Sequence, residues 1–160
     1  MFQVGDKVVY PMYGAGIIEA IEEQEVLGER ELYYVIHLPF GDLRMLIPVD
    51  RAEESRLRDV IEPEEVQRVL TILEGERGKP ISNWNVRFRT NMNKLKSGDP
   101  YKVAEVVRDL SARERKQGLS SREQRCLEQA RTILGSELML ATGQSKEKIE
   151  NLLDGTMQAG

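Results

Sequence analysis

Two side chains in this chain could do chemistry at neutral pH with little help, and neither has company. His37 is the only histidine and Cys126 the only cysteine among 160 residues. Imidazole acid–base chemistry needs an oriented partner, and His37 stands alone in the stretch Leu32-Tyr33-Tyr34-Val35-Ile36-His37-Leu38. One His and one Cys cannot make a Cys/His zinc site. A single Cys cannot close an intramolecular disulfide, which fits a reducing cytoplasm. No G-x-x-x-x-G-K-[ST], G-x-G-x-x-G or H-E-x-x-H pattern occurs. Gly14-Ala15-Gly16 is too short to cradle phosphate and suits a tight turn or a close backbone approach. These residues point away from an enzyme, a metal and a cofactor, and toward a binding protein.

The segment that can bind is Asn83-Trp84-Asn85-Val86-Arg87-Phe88-Arg89-Thr90-Asn91-Met92-Asn93-Lys94-Leu95-Lys96. On a helix at about 100° per residue, Trp84, Phe88, Met92 and Leu95 form one stripe. Arg87 and Lys94 line one side of it, Arg89 and Lys96 the other. Cations neutralise phosphates and release counterions, and an aromatic ring beside them can stack on bases or wedge between them. A second basic set, Arg122, Arg125 and Arg131, follows a capping box at Ser120-Ser121-Arg122-Glu123. The helix N-terminus there also favours phosphate. Arg113, Arg115 and Lys116 sit where cations complement a helix C-terminus.

The elements that position these groups divide the chain in two. Residues 1–53 read as short strands: Lys7–Tyr10, Ile17–Ile21 after a break at the glycines, Leu32–Leu38, and Leu43–Ile47 ended by Pro48. Four or five strands in so short a span predict a small SH3-like or Tudor-like β-barrel. Residues 54–160 turn helical, with punctuation by Pro63, Gly75, Ser97-Gly98, Asp99-Pro100, Gly118, Ser120, Gly143 and Ser145. The expected fold is α+β: a β-module of residues 1–53, then an all-helical domain of four to five short helices over 54–160.

Charge divides at the same place. Residues 1–53 hold 4 Lys+Arg against 10 Asp+Glu, a net of −6, while residues 77–131 hold 14 against 6, a net of +8. Two surfaces with different partners are expected. The acidic β-module is unsuited to DNA, and its edge strand offers main-chain hydrogen bonds to a protein. No apolar run approaches the ~18 residues of a membrane helix. The start, Met1-Phe2-Gln3-Val4-Gly5-Asp6, has no basic region leading an apolar block. A cytoplasmic protein without a membrane partner is expected.

The sequence resembles the CarD/CdnL family of bacterial RNA polymerase-binding transcription regulators. The likeness rests on Val4–Gly16 (VGDKVVYPMYGAG), Gly41-Asp42 and Ile47-Pro48; on Asn83-Trp84 with Arg87, Arg89 and Asn91; and on Lys102–Leu110, Gly118-Leu119-Ser120 and Glu123. These fall in one order over nearly the whole chain. The resemblance implies a Tudor-like domain that pairs a strand with the polymerase β subunit. It also implies a helical domain at the upstream edge of promoter DNA in the transcription bubble. It implies that Trp84 enters the minor groove and props melted DNA open, with Arg87 and Arg89 on nearby phosphates and the position of Gln124 also at the DNA; the residues themselves add Lys94, Arg122 and Arg125 as expected DNA contacts. The strand Arg44-Met45-Leu46-Ile47, with Gln24, would face the β subunit. Some members carry arginine where this chain has Gln24 and Leu46, and some carry lysine where it has Gln124, a role open here to Arg122 or Arg125. A sequence-independent architectural DNA-binding protein acting without polymerase is the competing reading.

Overall fold

Residues 7–59 supply one antiparallel sheet: β1 Lys7–Tyr10, β2 Gly14–Val26, β3 Glu29–Leu38, β4 Leu43–Pro48 and β5 Arg58–Asp59, in the order β4-β3-β2-β1-β5. The structure, a computed structural model, describes residues 1–158. Alternation sends Val8, Ile18, Tyr34, Ile36, Leu38 and Ile47 to one face, where they enclose a core with Ala52 and Leu57. Leu27 and Gly28 join β2 to β3 with φ of 53° and 81°. A two-residue hairpin turn with both φ values positive matches the twist of its strands. The sheet runs past residue 53, the expected end of the module, because β5 pairs Asp59 with Val8 and Arg58 with Val9.

The glycines do not break the chain before β2. They belong to it: Gly14 pairs with Tyr10 and Gly16 with Val8. They are needed for close approach. A Cβ on Gly14 would meet Ser136 Oγ at 2.6 Å, and one on Gly16 would meet the His37 carbonyl oxygen at 2.5 Å and Ile36 Cγ2 at 2.8 Å. Gly16→Ala should therefore push β2 from β3 and cost about 1–3 kcal/mol, the usual range for overpacking, read as a lower denaturant midpoint at unchanged slope. An unchanged midpoint would mean that the strands yield without cost.

Five helices follow: α1 Pro63–Glu74, α2 Trp84–Lys96, α3 Pro100–Gln117, α4 Ser121–Thr142 and α5 Lys146–Gln158. Their punctuation matches the sequence reading. Asp99 accepts from the Tyr101 and Lys102 N–H groups with Pro100 at N1, Ser120 accepts from Glu123 N–H, and Gly143 ends α4 in the left-handed region. At 18 and 22 residues, α3 and α4 are longer than the short helices expected. Val69, Leu95, Val103, Val106, Val107, Leu110, Leu134, Leu138 and Ile149 form the core between them. Among the described residues no helix is long and apolar enough to cross a membrane.

The C-terminal half of α4 docks on the sheet. Ser136 Oγ accepts from Ala15 N–H at 2.8 Å, Lys7 Nζ donates to the Leu140 carbonyl at 3.2 Å, and Phe40 lies against Gly135. The strongest link is ionic. Arg58 of β5 makes a bidentate pair with Glu137, both bonds 2.7 Å, and the Ile61 N–H donates to the same carboxylate at 2.9 Å.

Candidate nucleic-acid interface and sheet edge

The N-termini of α2 and α4 meet at one end of the helical lobe. Asn83 caps α2, accepting from Val86 N–H at 3.1 Å. That places Trp84 at the first helical position with 38% of its surface exposed. Its ring stacks on Phe88 one turn on, with centroids 6.0 Å apart and planes 11° from parallel. From α4, the Arg122 guanidinium lies over both rings, 5.6 Å from the Trp84 centroid and 5.1 Å from that of Phe88. A cation over an aromatic face is attracted by the ring quadrupole. The result is an exposed indole backed by a second ring and carrying a cation.

Arg87 is not part of that surface. It was expected to flank the stripe, yet it is 7% exposed. Its Nε and Nη2 donate to the two carboxylate oxygens of Glu123 at 2.8 and 3.1 Å, and Nη1 donates to the Ile81 carbonyl at 2.9 Å. The buried face of α2 therefore runs through Arg87, Asn91 and Leu95, rotated from the expected stripe, with Phe88 and Met92 partly buried beside it. The physical reason is Glu123. A cation can be buried when a carboxylate with matched fork geometry is buried against it. The Arg87 hydrogen bond holds the Glu123 carboxyl below its ordinary range, and burial opposes this less strongly. The capping box is altered in its second half: Ser120 caps the helix, while the Glu123 carboxylate accepts from the Ser120 hydroxyl at 3.4 Å and from Arg87.

The other expected contacts separate by partner. Arg89, Gln124 and Arg125 are exposed and make no ion pair among the described residues. Lys94 is half-buried and tied to Glu105 of α3 at 2.8 Å. Arg131 pairs with Asp154 at 2.6 Å. Cys126 is buried, and burial pushes its thiol up to about 11, so it stays a protonated, packed side chain.

On the sheet, β4 pairs with β3 alone, so its far edge has no strand partner among the described residues. Arg44 and Leu46 point outward and are exposed, while Ile47 is buried and Met45 half-buried against the sheet core. Gln24 sits on the outward face of the β2–β3 hairpin, opposite Glu31, with its amide on Glu22 at 3.1 Å. Gln24, Arg44 and Leu46 therefore share a solvent face; Met45 and Ile47 can contribute only backbone to a partner there. Arg44 is held by Glu19 through two bonds of 3.0 and 3.3 Å, and His37 lies 3.0 Å from Asp42.

Two family descriptions match this architecture lobe by lobe. "CarD-like/TRCF RID domain" covers residues 2–61, the sheet through β5, and "CarD, C-terminal domain" covers residues 68–154. The "Putative transcription factor YdeB" of Bacillus subtilis (strain 168) is 36% identical over 151 residues, 94% of this chain and 99% of that protein.

Proposed function

Because the chain belongs to the CarD family of transcription factors, we propose that it binds the RNA polymerase β subunit through the free edge of β4 and promoter DNA at the upstream edge of the bubble through the end of the helical lobe, stabilising the open complex. The observation that carries this reading is the Trp84 ring, exposed at the first residue of a helix and backed by Phe88 and Arg122. A ring so held loses little freedom when it meets DNA. Unstacking a base step costs a few kcal/mol, and a wedge that fits only melted DNA returns part of that cost in the open state alone. It shifts the closed–open equilibrium by its differential affinity. Arg122 stands ready to pass from the ring face to a phosphate, with Arg125, Gln124 and Arg89 as further polar contacts. On the sheet, β4 supplies main-chain groups for strand addition, and Gln24, Arg44 and Leu46 supply the side-chain face.

Trp84→Ala tests the wedge. Base–aromatic stacking is worth about 1–3 kcal/mol, so the lifetime of a promoter open complex formed with the variant should fall by about 5- to 150-fold from the wild-type value. Capture of the β subunit should not change. An unchanged lifetime with the fold preserved removes the wedge from the proposal.

A further inference from the structure

The segment between α1 and α2 carries cations that neither lobe uses. Arg77 and Lys79 project from this linker, and Arg115 and Lys116 from the last turn of α3, around one open cavity of about 700 Å³ floored by Leu73, Pro80 and Ala112. Arg108 lines the same cavity but is neutralised by Asp109 at 2.8 Å. The other four make no ion pair or hydrogen bond among the described residues, and neither do Glu74 and Glu76, the two carboxylates on the rim. Four free cations against two carboxylates leave the rim positive. Compensation of a helix C-terminus accounts for Arg115 and Lys116, but Arg77 and Lys79 are on no helix.

The linker is held rather than loose. Gly78 N–H donates to Asp109 of α3 at 3.1 Å, and the Ile81 carbonyl accepts from Arg87 of α2. Lys79 stands between these two anchors, five residues before Trp84. An extended chain of that length spans at most about 18 Å, which is about five base pairs of duplex at 3.4 Å each. A second cavity, of about 330 Å³, shares Arg77 and Lys79 with the first and reaches Arg87 and Arg113. The other cations of that cavity are largely paired, Arg87 with Glu123, Lys94 with Glu105 and Arg108 with Asp109, so the free positive charge lies on the linker and on the last turn of α3, which leads within four residues to the N-terminal turn of α4 that carries Arg122.

We infer that this track, Arg77, Lys79, Arg115 and Lys116, holds the phosphate backbone of the duplex immediately upstream of the wedge. The inference rests on the DNA-contacting reading above and extends it from the bubble edge to the paired DNA behind it. The ring acts on the melted step, and the track fixes the direction from which the duplex arrives. Phosphate contacts of this kind set register and orientation without reading sequence.

The test uses the full chain and a labelled fork-junction DNA whose duplex arm is either blunt at the fork or extended by six base pairs. Binding is followed by anisotropy between 50 and 200 mM salt. Each phosphate contact contributes about 0.9 to the slope of log affinity against log salt, or about 3.5-fold over that range. The wild type should gain affinity from the extended arm. The variant carrying Arg77→Gln, Lys79→Gln, Arg115→Gln and Lys116→Gln should lose that gain, and its slope should flatten by up to about 3.6. All four residues lie outside the cores, so circular dichroism should show an unchanged fold. An equal slope in variant and wild type, or no gain from the extended arm, overturns the inference. Stoichiometric binding of ATP that the variant loses, with the DNA slope unchanged, would make the cavity a small-anion site and also overturn it. Trp84→Ala on the same DNA separates the two readings. If it weakens binding while the fourfold variant does not, the track fails and the wedge stands; if only the fourfold variant weakens binding, the wedge fails and the track stands.

Discussion

Glu137→Ala should lower the stability of the chain by about 3 kcal/mol, a fall in Tm of about 6–12 °C for a protein of this size. Glu137 is 1% exposed, and its two oxygens take both arms of Arg58 and the Ile61 N–H. Removing it leaves the Ile61 N–H without its acceptor and the Arg58 guanidinium with only the Gly98 and Asp59 carbonyls at the junction of the lobes. Breaking a buried pair by deleting one partner costs about 3–5 kcal/mol. The lower end applies because the Arg58 side chain stays 29% exposed and water can reach it. Differential scanning calorimetry gives the number. Arg58→Met combined with Glu137→Leu should recover much of the loss, since apolar replacement of both partners is often neutral. A loss below about 1 kcal/mol for Glu137→Ala would mean that the contacts of Phe40, Ser136 and Lys7 hold the lobes without the ion pair. The functional consequence follows from α4, about 33 Å long. Its C-terminal half is fixed to the sheet and its N-terminal turn carries Arg122 and Glu123. The joint at Glu137 therefore sets where the Trp84 ring stands relative to the edge of β4.

Local signals in the sequence carried most of the fold. Caps at Asp99, Ser120 and Gly143, Pro at the first helical positions, and alternation along β3 and β4 all describe a few neighbouring residues, and the structure keeps them. The misplaced features depend on partners distant in sequence. Gly14 and Gly16 read as a break because glycine lacks β-propensity; their reason is Ser136, more than a hundred residues away, and the carbonyl of His37. Residue 53 read as a boundary because Arg58-Asp59 is too short to show a period, yet pairing with β1 makes it a strand. The site divides the same way. Trp84 and Phe88 on one face of a basic helix were legible from the spacing within Asn83–Lys96. Arg122 over their rings was not, since it depends on how α4 crosses α2.

Arg87 is the residue whose role the structure changes most, and its substitution should separate position from contact. A phosphate-binding arginine on the surface would give a variant of near-normal stability with a shallower salt dependence of DNA binding. A buried arginine clamped by Glu123 should do the reverse. We expect Arg87→Ala to cost about 3–5 kcal/mol, because it leaves the carboxylate of Glu123, itself 2% exposed, without its main partner. Glu123→Ala should cost a similar amount, and the double variant much less than the sum, as a double-mutant cycle in chemical denaturation would report. Arg87→Lys should restore little, because an ammonium cannot reproduce the fork. The pH dependence carries the same signature. With its folded pKa below the ordinary 4.5, Glu123 contributes stability that is fully present above about pH 4.5 and is lost as pH falls through its lowered folded value. The wild type should therefore lose its advantage over Arg87→Ala in that acid window, and the two denaturation midpoints should converge. Near-normal stability of Arg87→Ala at pH 7, with a salt slope flatter by about 0.9, would return Arg87 to the DNA contact surface. The expected result instead makes the Arg87–Glu123 pair the bolt between α2 and α4, on which the alignment of Trp84, Phe88 and Arg122 depends.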